Sequence, residues 1–256
     1  MKTYTIQHIK DFKQSKQSFA TLTAYDFTSA QILDQAEVPL ILVGDSASMM
    51  VYGYETTLPV SMNEMMLLVK AVSRGAKHSL VVADMPFLSY QPSVEEAVKN
   101  AGRFLKEGGA NAVKVEGGVQ IKDHIKALVD YGIPVLGHVG LTPQSYHQLS
   151  GYRVQGKTKD DAQKVIDDAL AIESAGGFGV VLECIPDNLA KTITQTLKIP
   201  TIGIGSGKYC DGQIQVFHDI LGYSKDKAPS HAMEYDSLYK KILSTVKQYK
   251  SDIENQ

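Results

Sequence analysis

The chain has little cysteine, with only Cys184 and Cys210 among its 256 residues. Neither cysteine lies in a CxxC motif or another metal-ligand spacing, so no thiolate metal site is expected. Two cysteines in a chain of this length also do not predict a disulfide framework. Such low cysteine usage is typical of a reducing compartment, and we expect a cytoplasmic protein.

Long apolar runs and an excess of charge of one sign are also missing. No run approaches the length of a membrane span, and the first residues, MKTYTIQHIKDFKQSKQ, lack the apolar core of a signal peptide. Lysine and arginine number 26 against 28 acidic residues, which gives a net charge of −2. No basic stripe with interleaved aromatics occurs. We therefore expect neither a membrane partner nor a nucleic-acid partner.

What is present is an alternation of short β-rich runs with longer helical patterns. Several of the runs are continuously apolar, which is typical of parallel strands covered on both faces. The strand candidates are 19–26, 39–46, 79–87, 111–118, 133–140, 178–186, 199–207 and, more weakly, 212–217. We predict an α/β fold, a single-domain (β/α)8 TIM barrel, with a doubly wound open sheet as the alternative.

No linker, low-complexity segment or composition break divides the chain, which predicts one domain over residues 1–256. Additional helices are expected at the two ends, over 5–15 and 233–256. Ser61 and Ser93 each precede a glutamate by three residues, the pattern of a capping box at a helix start. Residues 138–158 are polar and too long for a simple connection, which predicts an active-site loop or lid.

Polar side chains end five successive predicted strands. Because the carboxyl ends of parallel barrel strands meet at one rim, where active sites of this fold lie, these side chains are expected to converge. They are Asp45 and Ser46 after strand two, Asp84 after strand three, Lys114 and Glu116 on strand four, His138 on strand five and Glu183 on strand six. Side chains alternate along a strand, so Lys114 and Glu116 share one face. Buried unpaired charge is costly, so these groups must meet partners, a metal or a ligand.

Each of these residues also has a structural interpretation. Asp45 and Asp84 are equally consistent with caps or Asx turns after a strand. Glu116 is consistent with a solvated turn, and His138 with a satisfied core histidine. The coincidence at five strand ends favours a functional site over any one of these alternatives.

Three of the carboxylates, Asp45, Asp84 and Glu116, follow successive strands and are expected to be neighbours. Such an oxygen cluster favours a hard cation such as Mg²⁺. Zinc is disfavoured because His138 is the only imidazole in the group of strand-end residues and no thiol joins it. Glu183 comes from across the mouth and is a candidate general base. The glycine-rich GIGSG at 203–207 predicts either a tight turn or a phosphate cradle.

Several ordered segments resemble the ketopantoate hydroxymethyltransferase family: LVGDS, ADMPF, NAVKVEGG, GHVGLTPQS, GYRVQGKT, VLECIP and IGIGSG. The resemblance implies a barrel of the phosphoenolpyruvate/pyruvate type that depends on Mg²⁺. It implies transfer of a hydroxymethyl group from 5,10-methylenetetrahydrofolate to 3-methyl-2-oxobutanoate, giving 2-dehydropantoate in pantothenate synthesis. The expected route is a Mg²⁺-stabilised enolate with a glutamate base. A homo-oligomer, specifically a decamer, is also implied.

The resemblance also implies roles for individual residues. Mg²⁺ is assigned to Asp45, Asp84 and Glu116, the last directly or through water. The keto acid would be bound by Asp45, Ser46, Asp84, Lys114 and His138. Glu183 would accept the proton. The chain departs from the family pattern at Ala47–Met50, beside Asp45, and over 224–235.

Two other functions stay open. A carbon–carbon lyase of the same superfamily would share the metal carboxylates, but such lyases usually carry a catalytic cysteine in a KKCGH-like loop, which this sequence lacks. A non-catalytic metal-binding or keto-acid-binding barrel is the second alternative. The clustered base and lysine argue against it.

Overall fold

The computed structural model describes residues 2–225, 229–230 and 232–255, and within them eight strands close into a barrel. Each strand pairs in parallel with the next one along the chain. They are β1 (Phe19–Thr23), β2 (Leu40–Val43), β3 (Leu80–Asp84), β4 (Ala112–Glu116), β5 (Val135–Gly140), β6 (Gly179–Glu183), β7 (Thr201–Ile204) and β8 (Gly212–Gln215). The predicted (β/α)8 barrel is confirmed, and the open doubly wound sheet is wrong.

Helices flank the strands in chain order. They are α1 (Ile6–Ser15), α2 (Phe27–Gln35), α3 (Ala47–Met50), α4 (Met62–Gly75), α5 (Val94–Arg103), α6 (Lys122–Asp130), α7 (Lys159–Ser174), α8 (Asp187–Thr196), α9 (Phe217–Ile220) and α10 (Leu238–Glu254). A π-helical turn, Phe104–Gly108, extends α5, and 3₁₀ turns cover Val119–Ile121 and Pro143–Ser145. Residues 205–211 form no helix, so the predicted strand–helix alternation is broken between β7 and β8.

Side-chain oxygens begin the helices where the sequence predicts them. Ser61 Oγ accepts the N–H of Glu64, and the Glu64 carboxylate accepts the N–H of Ser61 in return. Ser93 accepts the N–H of Glu96 at the start of α5, but the reciprocal bond of a capping box is not formed in the described chain. The box is therefore confirmed at α4, and α5 has a simple N-cap.

The barrel interior holds a buried apolar cluster at the level below the polar strand ends. It contains Leu40, Leu42, Leu80, Val82, Ala112, Leu136, Val181 and Ile202, together with Ile9 of α1. Because side chains alternate, Asp84, Lys114 and Glu116 continue the inward rows that Val82 and Ala112 begin. The opposite faces are buried as well, at Val81 and Val113 for example, which confirms strands covered on both sides.

The chain divides into two compact units, Met1–Ile214 and Gln215–Gln256. In the second unit, the N–H groups of Tyr235 and Leu238 donate to the carbonyls of Ile220 and Leu221. The predicted carboxyl-terminal helix is present but begins at Leu238. Within the departure at 224–235, residues 226–228 and 231 lie outside the described residues. The single-domain organisation stays a prediction, and no helix in the described residues has the length and apolarity to cross a membrane.

Candidate active site

Register places the predicted residues beside one another. Asp84 pairs with Lys114 across β3 and β4, and Glu116 pairs with His138 across β4 and β5. Because all of these strands run in parallel, their carboxyl ends reach the same rim. Five predicted side chains come together there through direct contacts, those of Asp84, Lys114, Glu116, His138 and Glu183, and the backbone N–H of Asp45 contacts the first of them.

Lys114 is buried between two carboxylates. Its Nζ donates to Asp84 Oδ1 at 2.6 Å and lies 3.6 Å from Glu116 Oε1. Burial opposes the charged form, but Asp84 and Glu116 outweigh it and raise the pKa of the Lys114 ammonium. The predicted shared face of Lys114 and Glu116 is confirmed, and Glu116 is buried rather than solvated.

His138 connects the buried carboxylates to Glu183. Its Nδ1 lies 3.3 Å from Glu116 Oε1, and its Nε2 lies 3.1 Å from Glu183 Oε2. Burial and Lys114 lower the pKa of His138, but the contacts with Glu116 and Glu183 prevail and raise it to about 9. A ring protonated at neutral pH has two N–H donors, one for each carboxylate.

Asp45 and Ser46 lie just past β2 rather than within it. The carboxylate of Asp45 does not form a local turn in the described contacts, because its Oδ2 accepts from Gln144 Nε2 at 3.0 Å. The N–H of Asp45 donates to Asp84 Oδ2 at 3.1 Å, which joins the two strand ends. Ser46 Oγ lies 2.8 Å from Tyr25 OH. The Asp45 side chain is therefore directed across the barrel mouth, and the Ser46 side chain toward the end of the neighbouring strand β1.

Negative charge accumulates around Asp45. Burial raises its pKa well above the usual range, and Asp84 and Glu116 raise it further against the opposing effect of Lys114. Burial likewise raises the pKa of Asp84. For Glu116, burial is outweighed by Lys114 and His138, so its pKa is lowered. An additional cation near Asp45 would relieve this repulsion.

The cluster fits a hard divalent cation by donor type and by charge. When its four carboxylates are ionised, Lys114 and protonated His138 leave two negative charges unbalanced. Glu116 Oε1 is buried, with His138 Nδ1 at 3.3 Å and Lys114 Nζ at 3.6 Å. Mg²⁺ commonly uses one or two carboxylates and completes its shell with water.

Direct ligation by three side chains is not prearranged. No group of three or more His, Cys, Asp or Glu side chains in the described ranges is placed to hold a metal ion. The ammonium of Lys114 lies between the carboxylates of Asp84 and Glu116. The three-residue ligand set of Asp45, Asp84 and Glu116 therefore stays a prediction.

Gln144 and Tyr90 belong to the site but were not among the predicted residues. Gln144 begins the connection from β5 to α7, and its N–H donates to Glu116 Oε2 at 2.9 Å. Tyr90 OH accepts the N–H of Glu116 at 2.9 Å and lies 3.1 Å from Gln144 Oε1. The sequence signals for Gln144 are its place in the loop 138–158 and in the segment GHVGLTPQS, since strand-end reasoning does not reach loop residues.

The rest of that loop also lies against the site. The Tyr152 ring contacts Tyr146 at a centroid distance of 5.0 Å, and its hydroxyl reaches Met49 Sδ at 3.8 Å. Burial and the negative charges of Asp45 and Glu183 raise the pKa of Tyr152 to about 12. The predicted active-site loop thus contacts α3, the segment where the chain departs from the family pattern.

The glycine-rich turn after β7 faces a carboxylate. A Cβ at Gly207 would overlap Asp187, whose side chain packs directly against this glycine. An anion here would meet like charge at close range. Of the two alternatives for 203–207, the tight turn is favoured over the phosphate cradle.

Comparison with known proteins covers nearly the whole chain. The family model described as ketopantoate hydroxymethyltransferase matches residues 3–256. The 3-methyl-2-oxobutanoate hydroxymethyltransferase of Dehalococcoides mccartyi (strain CBDB1) is 53% identical over 97% of this chain and 89% of its own length. The protein of that name from Carboxydothermus hydrogenoformans is 51% identical over 100% of this chain and 93% of its own length.

Solved structures with the same fold are much more distant in sequence. A phosphonopyruvate hydrolase complex with oxalate and Mg²⁺ has a TM-score of 0.64 at 13% identity, covering 85% of this chain and 82% of that one. A 2,3-dimethylmalate lyase, described as a member of the PEP mutase/isocitrate lyase superfamily, has a TM-score of 0.62 at 14% identity, covering 98% and 87%. These similarities support the barrel fold alone.

Proposed function

Because the chain belongs to the ketopantoate hydroxymethyltransferase family and is a transferase, we propose that it converts 3-methyl-2-oxobutanoate to 2-dehydropantoate in pantothenate synthesis. The proposed one-carbon donor is 5,10-methylenetetrahydrofolate, with water supplying the hydroxyl oxygen. One observation carries the proposal. The Glu183 side chain, 15% exposed, stands at the mouth and is connected through His138 to a buried carboxylate–lysine cluster.

Glu183 is the proposed proton acceptor. It is the most accessible carboxylate of the cluster, so it is the one that a substrate entering the mouth would meet. It would take the proton from C3 of the keto acid, and the electron pair of that C–H bond would move toward the ketone to form an enolate. The C3 carbon then bonds to the folate-borne methylene carbon, the bonds from that carbon to the folate nitrogens break, and tetrahydrofolate leaves as water supplies the hydroxyl group. His138, 3.1 Å from Glu183 Oε2, would hold the carboxylate in one orientation.

Asp45 and Asp84 are the proposed Mg²⁺ ligands, with Glu116 acting through water. When bound, Mg²⁺ supplies Lewis-acid stabilisation of the enolate charge. Lys114 Nζ lies 2.6 Å from Asp84 Oδ1 and 3.6 Å from Glu116 Oε1, and its ammonium would balance the developing negative charge. Ser46, whose hydroxyl lies 2.8 Å from Tyr25 OH, would donate to the keto acid carboxylate.

The proposed reaction is tested with the wild-type chain. It is incubated with 3-methyl-2-oxobutanoate, 5,10-methylenetetrahydrofolate and Mg²⁺, and 2-dehydropantoate is measured by mass spectrometry. We expect product that depends on all three additions. Absence of product with folded protein would contradict the proposed function.

The proposed base is tested separately by Glu183→Gln. We expect exchange of the C3 proton in deuterated water, followed by NMR without folate, to slow by about 10²–10⁴-fold, because that is the usual contribution of a positioned base. Binding of the keto acid should persist. The matched control is Glu95→Gln, on the exposed first turn of α5, which should exchange at the wild-type rate. Unchanged exchange in Glu183→Gln would exclude Glu183 as the base.

A further inference from the structure

The side-chain amide of Gln144 is buried, at 5% exposure, and its nitrogen faces two acceptors. Nε2 donates to Asp45 Oδ2 at 3.0 Å and to the carbonyl of Met85 at 2.8 Å. These acceptors follow β2 and β3, whereas Gln144 follows β5. One side chain therefore reaches across the mouth and fixes the carboxylate of Asp45 to the end of a neighbouring strand.

The other end of the amide faces donors. Oε1 of Gln144 accepts from Gln91 Nε2 at 2.9 Å and lies 3.1 Å from Tyr90 OH. The single Tyr90 proton is shared between this oxygen and the carbonyl of Glu116, 3.0 Å away. A flipped amide would place Oε1 against the Asp45 carboxylate, where two acceptors would face each other. The surroundings thus select the orientation that offers N–H groups to Asp45.

We propose that Gln144 is a positioning residue that holds the Asp45 carboxylate in the orientation required for cation binding. This inference rests on the proposed function, because Asp45 is there a Mg²⁺ ligand. Hydrogen bonds to a ligating carboxylate fix its direction, and their loss typically lowers metal affinity or activity by about 10–100-fold. The backbone N–H of Gln144 also donates to Glu116, and that bond persists when the side chain is changed.

The test replaces the amide without adding charge. Gln144→Met keeps an unbranched side chain of similar length but removes both ends of the hydrogen-bonding network, and Gln144→Leu is the second variant. The matched control is Gln163→Leu on α7, where an exposed glutamine also donates to an aspartate, Asp167, at 2.8 Å. The probe is Mn²⁺ alone, counted as free ion by electron paramagnetic resonance, since carboxylate–water sites also accept Mn²⁺.

We expect Mn²⁺ to bind about 10–100-fold more weakly to folded Gln144→Met and Gln144→Leu than to wild type. Gln163→Leu should match wild type. Thermal unfolding, followed by circular dichroism, separates this effect from stability. A purely structural Gln144 would lower the melting temperature and leave the Mn²⁺ affinity of the folded protein unchanged.

Equal Mn²⁺ affinities in wild type and variants, including no binding by any of them, would overturn the proposal. Loss of the fold in both Gln144 variants would also overturn it and assign Gln144 to stability. The transfer assay on wild type is independent of these results. A wild type that binds Mn²⁺ but forms no 2-dehydropantoate would contradict the proposed function, whereas the Gln144 proposal would be decided by the ratio of affinities.

Discussion

Lys114 compensates buried negative charge on two strands of the site. Its ammonium contacts Asp84 directly and faces Glu116, and all three side chains are almost fully buried. Removing carboxylates from water is costly unless a partner remains within reach. The ammonium should therefore contribute to folding as well as to the chemistry proposed for the site.

Replacing Lys114 with Met should destabilise the chain by about 3–5 kcal/mol, since breaking a buried ion pair leaves its partners uncompensated. The matched control is Lys126→Met, because Lys126 pairs with Asp130 at 2.9 Å on the surface, where its side chain is 61% exposed. That change should cost no more than about 0.5 kcal/mol. Urea unfolding at one protein concentration measures both, and equal losses would contradict the role given to Lys114.

Residue-scale prediction worked where the strand geometry determines side-chain direction. The alternation in β4 is sufficient to predict that Lys114 and Glu116 share a face, and parallel order is sufficient to bring Asp84 beside them. Gln144 could not be found this way. It follows a loop path set by the 3₁₀ turn Pro143–Ser145, and no period in the sequence specifies where such a turn directs an amide.

At the scale of elements, every predicted strand is present, and all except β5 end earlier than their sequence runs. The apolar runs continue into turn residues such as Gly44 and Met85, which pack inside without pairing as strand. Composition cannot distinguish buried turn from buried strand, because both favour apolar residues. The helix expected between β7 and β8 is missing because residues 205–211 are too few and too rich in glycine to form one.

The close approach of β6 to the end of β5 at Gly140 can be tested by substitution. Gly140 has φ +93°, and a Cβ there would lie 2.3 Å from the carbonyl oxygen of Glu183. Gly140→Ala should cost about 2–4 kcal/mol, combining left-handed backbone strain with overpacking. Gly53 has φ +74°, and no described atom lies within 4 Å of its Cβ position. Gly53→Ala should therefore cost only about 1–2 kcal/mol.

Urea unfolding of the two alanine variants separates strain from contact. A larger loss for Gly140→Ala than for Gly53→Ala is expected, because only the first must also displace the strand that carries Glu183. Equal losses would mean that the close approach between β5 and β6 relaxes without cost. Proton exchange at C3 of the keto acid should fall in Gly140→Ala and stay at the wild-type rate in Gly53→Ala.

At the scale of the whole molecule, barrel closure explains why residues distant in sequence form one cluster. Residues from β3 to β6, with Asp45 after β2, meet because every strand delivers its carboxyl end to the same rim. Hydrophobic patterns were sufficient to predict this arrangement. Decamer formation and a cytoplasmic location have no comparable basis in the described contacts, and they stay predictions.

Stability of the whole chain should depend on pH through His138. Its pKa is about 9 in the folded chain against 6.5 as the unperturbed value, so the stabilisation is fully present below pH 6.5 and lost as pH rises toward 9. The loss should be about 3 kcal/mol, from 1.36 kcal/mol for each pKa unit.

The control for this prediction is His138→Gln. Asp45 and Asp84 are present in both wild type and this variant, so their titration affects both proteins. The lowered pKa of Glu116 changes stability only at acidic pH. Urea unfolding without divalent cations, at pH 6 and pH 9 and one protein concentration, should give a steeper loss for wild type than for His138→Gln. Parallel losses in the two proteins would show that His138 is not protonated between its two carboxylates.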